Sequence, residues 1–166
     1  MGAARGPVSR RMTIIVSKGS LDAAYPPFIL ATMGAAMGVH VTMFFTFYGL
    51  SLLTKKIDAD VAALGNPALK LPVLGGHVGP LNLLSALPGF EGEPSDHMRR
   101  MFAKTRVADI EELRALTIEA GAKVIACQMT MDLFGYSPED LIAGVTLGGA
   151  ATYMEEALKS KVNLFV

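Results

Sequence analysis

Apolar residues fall along this chain in short dense runs broken by glycine and proline, the pattern of buried strands alternating with helices rather than of amphipathic strands. Met12-Thr13-Ile14-Ile15-Val16 is a β-branched run closed by Ser17-Lys18-Gly19-Ser20, which predicts a buried first strand and its turn. A helix is expected from about Leu21, its early part made irregular by Pro26 and Pro27. From Phe28 to Leu53 the chain carries only apolar, small or weakly polar residues and His40, a stretch long enough to cross a bilayer. Its character changes at Gly38: Ala, Met and Leu dominate before it, β-branched and aromatic residues after it. A helix ended by Gly38 and a buried strand over Val39–Phe47 explain both halves. A spanning helix explains only the length and strands His40 near its centre, so membrane association is the less favoured alternative. Tyr48 to Ile57 reads as a short helix with Lys55 and Lys56 in its last turn.

Between Gly65 and Ser95 the prolines 67, 72, 80, 88 and 94 recur among closely spaced glycines, predicting a long ordered loop and a candidate cover for a site. Asp96 is a cap for a helix running to about Thr105, and Asp109, three residues before Glu112, caps another whose apolar face is Leu113, Leu116 and Ile118. Gly121 stops that helix, and Ala122–Cys127 reads as a strand with the cysteine at its carboxyl end. Pro138, Glu139 and Asp140 open a short helix, Ala143–Leu147 is a strand, Gly148-Gly149 turns into a helix through Lys159, and Val162–Val166 is a final strand. The expected fold class is α/β, a three-layer α/β/α sandwich around a mostly parallel sheet, with residues 1–11 as a disordered lead-in and 12–166 as one domain.

Composition narrows the function by exclusion. Among 166 residues, Lys plus Arg and Asp plus Glu both number 15, so no charge excess draws the chain to nucleic acid. One cysteine cannot form an internal disulfide, and no secretory leader is apparent, so a cytoplasmic location is expected. His40, His77 and His97 lack metal-ligand spacing, Leu74–Pro80 does not match a phosphate-binding loop, and no nucleophile-elbow motif occurs, so neither a metal nor a cofactor is expected.

What remains is Cys127. Ligand crevices of parallel sheets lie outside the carboxyl ends of the strands, and Gln128 onward reads as a turn into a brief helix with Thr130 or Asp132 as its cap. A thiol at such a helix start gains stabilisation of its thiolate, the nucleophilic form. The alternative at this point is a small core residue with no chemistry. Met129 and Met131 are candidates to wall a thiol pocket. Asp132 is a candidate contact but a poor base, since a carboxylate beside the thiol would raise its pKa.

The segment Val124-Ile125-Ala126-Cys127-Gln128-Met129-Thr130-Met131-Asp132-Leu133-Phe134-Gly135 resembles the DsrE/DsrF-like family. The likeness runs from Thr13 across most of the chain, through Ser17-Lys18-Gly19, Phe44–Leu50, and Gly144-Val145 on to Ala150, Ala151 and Tyr153. It implies a five-stranded parallel sheet, a tendency to form homo- or hetero-oligomers, and sulfur trafficking with a TusA-like carrier or a rhodanese. Residue by residue, the sulfur-carrying role falls on Cys127. The peroxiredoxin label that some of these proteins carry does not suit this chain, which lacks a resolving cysteine. Two readings stand: a carrier holding sulfur as a persulfide on Cys127, and a binding module in which Pro67–Pro94 covers a small-molecule or nucleotide pocket and Cys127 is inert.

Overall fold

The computed structural model describes residues 10–62, 71–73, 76–78, 93–104 and 107–166. Its strands are β1 (Arg11–Val16), β2 (His40–Phe45), β3 (Leu71–Val73), β4 (Gly76–Val78), β5 (Lys123–Cys127), β6 (Thr146–Gly148) and β7 (Val162–Phe165). The helices are α1 (Leu21–Ala36), α2 (Glu93–Lys104), α3 (Ile110–Glu119), α4 (Gln128–Phe134) and α5 (Ala150–Ala157), with 3₁₀ turns over Phe47–Leu53 and Pro138–Asp140. Five strands form an all-parallel sheet in the order β6-β5-β2-β1-β7, flanked by helices on both faces, as the α/β/α expectation requires.

Side chains alternate across the central strands, and the two faces they supply are unequal. Ile14, Val16, Val41, Met43, Phe45, Val124 and Ala126 enter the main core under α1 and α3. The other face holds a small cluster of Phe44, Ile125, Cys127 and Tyr153 under α5. That short helix is fastened at several points. Tyr153 packs its ring on Phe44 at 5.3 Å and sets its hydroxyl 3.3 Å from Thr13 Oγ1. Glu156 accepts from Arg11 at 3.2 Å and Lys123 at 2.9 Å, pinning α5 to the amino ends of β1 and β5.

The apolar stretch from Phe28 resolves into helix and strand. α1 ends where Gly38 takes φ +73°, a conformation that costs glycine little, and β2 follows. Among the described residues no helix is long and apolar enough to cross a membrane. α1 continues unbroken through Pro26 and Pro27, held by the burial of Tyr25, Pro27 and Phe28 despite two missing amide donors.

Other expectations shift. The chain after β2 forms a 3₁₀ turn that ends at Leu53, so Lys55 and Lys56 lie beyond it. Asp96 lies inside α2, which starts at Glu93, and much of the expected 65–95 loop lies outside the described residues; β3 and β4 within it pair antiparallel. Arg11, expected in a disordered lead-in, is the first residue of β1, and residues 1–9 lie outside the described set. Asp109 does cap α3, accepting from the Glu112 amide at 2.7 Å. Its buried face, however, is Ile110, Leu113, Arg114 and Thr117, while Leu116 is 43% exposed. The reason is a polar requirement: the Leu52 and Thr54 carbonyls, at the end of the 3₁₀ turn, accept from Arg114 Nη1 at 2.9 and 2.6 Å. Burial lowers the Arg114 pKa, with Glu111 opposing, and the guanidinium holds this turn against α3.

The turn also needs a glycine at position 49. Its amide donates to the Ser17 carbonyl at 3.1 Å, and a Cβ there would run into the Val16 carbonyl oxygen. Gly49→Ala therefore forces backbone apart and is expected to cost about 2 kcal/mol, lowering Tm by roughly 5 °C. Gly149→Ser, at an open extended N-cap position, is expected to leave Tm within about 1 °C. Thermal unfolding of the two variants side by side checks the contrast.

Candidate functional site

β2 and β5 pair so that Phe45 lies opposite Ala126, and Thr46 thus stands beside Cys127 where both strands end. On the other side β6 pairs Gly148 with Cys127. The helix after β5 begins without an intervening turn: Cys127 is itself the N-cap residue of α4. Thr130 and Asp132 are accordingly not caps but lie within the helix.

Thr130 is wholly buried, and its hydroxyl is a meeting point. Its Oγ1 lies 3.1 Å from Thr46 Oγ1 and accepts from the Phe47 amide at 3.1 Å. Phe47 reaches that amide geometry with φ +46°, the one non-glycine positive φ among the described residues and a strained conformation for a residue with a Cβ.

The thiol is only 4% exposed, and burial pushes its pKa up. Against burial acts the polarity of its neighbours, first the Thr130 hydroxyl and amide, then the Thr46 hydroxyl and the Met129 amide; together they hold the thiol below its ordinary value. Among the described residues no charged group is a cause of the shift.

The other sequence candidates separate. Met129 is 64% exposed, and it is its backbone amide, not its side chain, that bears on the thiol pKa. Met131 is buried in the main core, in the cluster of Val124 and Ala126 rather than that of Cys127. Asp132 lies exposed on α4. Thr46 and Thr130 were not among the candidates; the strand register, once known, is the signal that finds Thr46.

Beside this site lies a cleft of about 490 Å³ walled by Phe47, Tyr48, Phe134 and Tyr136, with Gly19, Ser20 and Ser51 on its polar side. Tyr48 stacks on Phe134 at 5.8 Å. Phe47 joins cleft and thiol, its ring in the wall and its amide on Thr130. Among the described residues no group of three His, Cys, Asp or Glu side chains is arranged to hold a metal.

A five-stranded parallel sheet flanked by helices, with a buried cysteine where a strand ends, defines an α/β/α class of protein. Within it, the chain belongs to the DsrE/DsrF/DrsH-like family, whose profile matches residues 8–165. It is 47% identical over 157 residues to a protein of Allochromatium vinosum named sulfur carrier protein DsrE2, covering 95% of this chain and 98% of that one. It is 30% identical over 160 residues to the uncharacterized protein YrkE of Bacillus subtilis, covering 95% and 98%. The crystal structure of the ychN protein from E. coli shares the fold at 12% identity, with a TM-score of 0.52 over 95% of this chain and 99% of that one.

The lowered pKa fixes the sign of a pH effect. A folded-state pKa below the unfolded one, about 8.5 for a free thiol, contributes stability present above the unfolded value and lost as pH falls through the folded one. The ultraviolet thiolate absorbance of wild type, taken against Cys127→Ser, is expected to titrate with a midpoint below that of a free thiol. The stability gap between the two proteins is expected to widen as pH rises through the same window; a midpoint at or above the free-thiol value contradicts the assignment.

Proposed function

We propose that this protein is a sulfur carrier of sulfur metabolism that receives a sulfane sulfur on Cys127 and passes it to a partner protein. The observation that carries this reading is the thiol itself: buried among Phe44, Ile125 and Tyr153, ending a strand, and lowered in pKa by the polar groups of Thr130, Thr46 and Met129 beside it. The full-length likeness to a protein named as a sulfur carrier supports it. In loading, the Cys127 thiolate attacks the outer sulfur of a donor persulfide R–S–SH; the donor's S–S bond breaks, R–S⁻ leaves, and Cys127 becomes Cys–S–SH. In delivery, an acceptor thiolate attacks that outer sulfur and Cys127 is released as the thiolate. Both steps are exchanges in which the sulfane sulfur keeps its oxidation state, so one cysteine suffices and no cofactor is used. The outer sulfur stands about 2 Å beyond Sγ.

Partners in this reading are thiol proteins of the TusA-like or rhodanese kind, meeting the exchange site in the cytoplasm. The rim offers apolar contact: Tyr48, Met129 and Leu133 are 71%, 64% and 63% exposed, with Phe47 and Phe134 beside them. The same surface supports a homo-oligomer. Light scattering after gel filtration is expected to give a multiple of the 17.6 kDa chain mass, and a monomer at every concentration tested would count against self-association.

The carrier reading is tested by incubating the protein with a polysulfide or a persulfide-loaded donor and measuring intact mass. A gain of about 32 Da per sulfur is expected on Cys127, absent in Cys127→Ser and removed by excess thiol. No adduct, or an adduct that survives Cys127→Ser, overturns it and leaves the cleft as the basis for a binding module with an inert cysteine.

A further inference from the structure

We propose that α5 is a lid over Cys127: it lifts off the sheet as a unit to admit a reacting partner, and the bridge from Glu156 to Arg11 and Lys123 latches it shut. The inference rests on the carrier reading for why the sulfur has to be reached, but the motion is argued from how the elements around the thiol are held.

Exchange at sulfur depends on access, and a side chain only 4% exposed denies it to another protein, so part of the cover has to move. Two helices adjoin the cysteine. α4 is not the part that moves: it starts directly after Cys127, its Thr130 is bonded to Thr46 and Phe47 at 3.1 Å each, and its Met131 is committed to the main core. Displacing α4 would take the carboxyl ends of β2 and β5 apart with it.

α5 is held differently. Of its eight residues only Tyr153 is buried, in the cluster it shares with Phe44, Ile125 and Cys127. The register sets this helix over the thiol's side of the sheet: Gly148 stands opposite Cys127 on the β5–β6 ladder, and a Cβ on Gly148 would meet Ile125 and Thr152 of α5. Among the described residues the polar ties from α5 to the sheet are one hydroxyl, Tyr153 at 3.3 Å from Thr13 Oγ1, and one carboxylate, Glu156 at 3.2 Å from Arg11 and 2.9 Å from Lys123.

The links at its two ends leave it free to swing. Beyond its chain neighbours, nothing lies within 4 Å of where a Cβ would stand on Gly149, the N-cap residue. Past the other end the chain is next fastened at Lys161, whose amide donates to the Arg11 carbonyl at 3.1 Å. A short helix with one buried side chain opens at a lower free energy than the whole domain unfolds. Glu156 lies one turn beyond Tyr153, so its carboxylate keeps the Tyr153 ring seated on Phe44. Arg11 and Lys123 are 37% and 43% exposed, so salt weakens the latch.

The test is the rate at which Cys127 reacts with 4,4′-dithiodipyridine, an uncharged disulfide, read from the thiopyridone released at a pH above the thiol midpoint. Glu156→Gln is expected to react roughly threefold to tenfold faster than wild type. Added salt is expected to speed the wild type toward the variant and to leave the variant unchanged. Leu113→Ala, which loosens the main core on the opposite face, is expected to lower Tm without speeding the reaction. Should Glu156→Gln not fold, Lys123→Gln breaks one of the two bridges and is expected to give a smaller gain of the same sign. Equal rates in wild type and the latch variant, or an acceleration by Leu113→Ala as large as that by Glu156→Gln, overturns the inference. The labelling does not require sulfur uptake: a wild type that takes up no sulfur defeats the carrier reading, while these rates still decide whether α5 gates the thiol.

Discussion

The chain must leave β2 by turning over the end of β5, and that crossing is held by the hydroxyl of Thr130. Parallel strands stop together, so their last amides lose ladder partners at one edge of the sheet and need acceptors from elsewhere. Thr130 supplies the acceptor for Phe47 there. Phe47 bends into a left-handed conformation to reach it, and Gly49, two residues on, is pressed so close to β1 that no side chain fits. Arg114 then gathers the carbonyls at the far end of the same turn. The cleft wall, the strand ends and the cysteine are thus consequences of one solved problem in backbone hydrogen bonding.

The unequal faces of the sheet decide where that solution has chemical use. Under α1 and α3 the core is deep, and anything placed there is committed to packing, as Met131 is. Under α5 the cluster is four residues with a helix of eight laid over it. Cys127 belongs to this thin layer, where burial excludes water from the sulfur yet only a short distance separates it from the surface.

Much of this could be read from the sequence wherever a signal was local. Glycine at 38, the β-branched composition of β1 and β2, the apolar run ending in Cys127, and the Asp109 cap each act within a few residues. What escaped depends on contacts across the chain. Thr46 and Thr130 are 84 residues apart, and a threonine three residues into a helix looks like a cap until the helix is seen to start at Gln128. Leu116 looked inward because it is apolar, but orphan carbonyls from a distant turn drew Arg114 into that face instead. Met131 fits a thiol pocket by type and fails by side, since a helix that begins at once after a strand sends its third and fourth residues toward different surroundings.

The means of acidifying the thiol bears on what it is suited to. A cysteine lowered by a neighbouring lysine, arginine or imidazolium owes its reactivity to a field that salt screens and that a docking partner's charges would perturb. Here the lowering comes from neutral neighbours, the Thr130 hydroxyl and amide, the Thr46 hydroxyl and the Met129 amide, and among the described residues no charged group is a cause. Such dipoles act over a short range and favour the ionised sulfur mainly where Sγ sits. In the proposed carrier role, a thiol held this way is stabilised when bare and less so when it carries cargo, an asymmetry that inclines the site toward release.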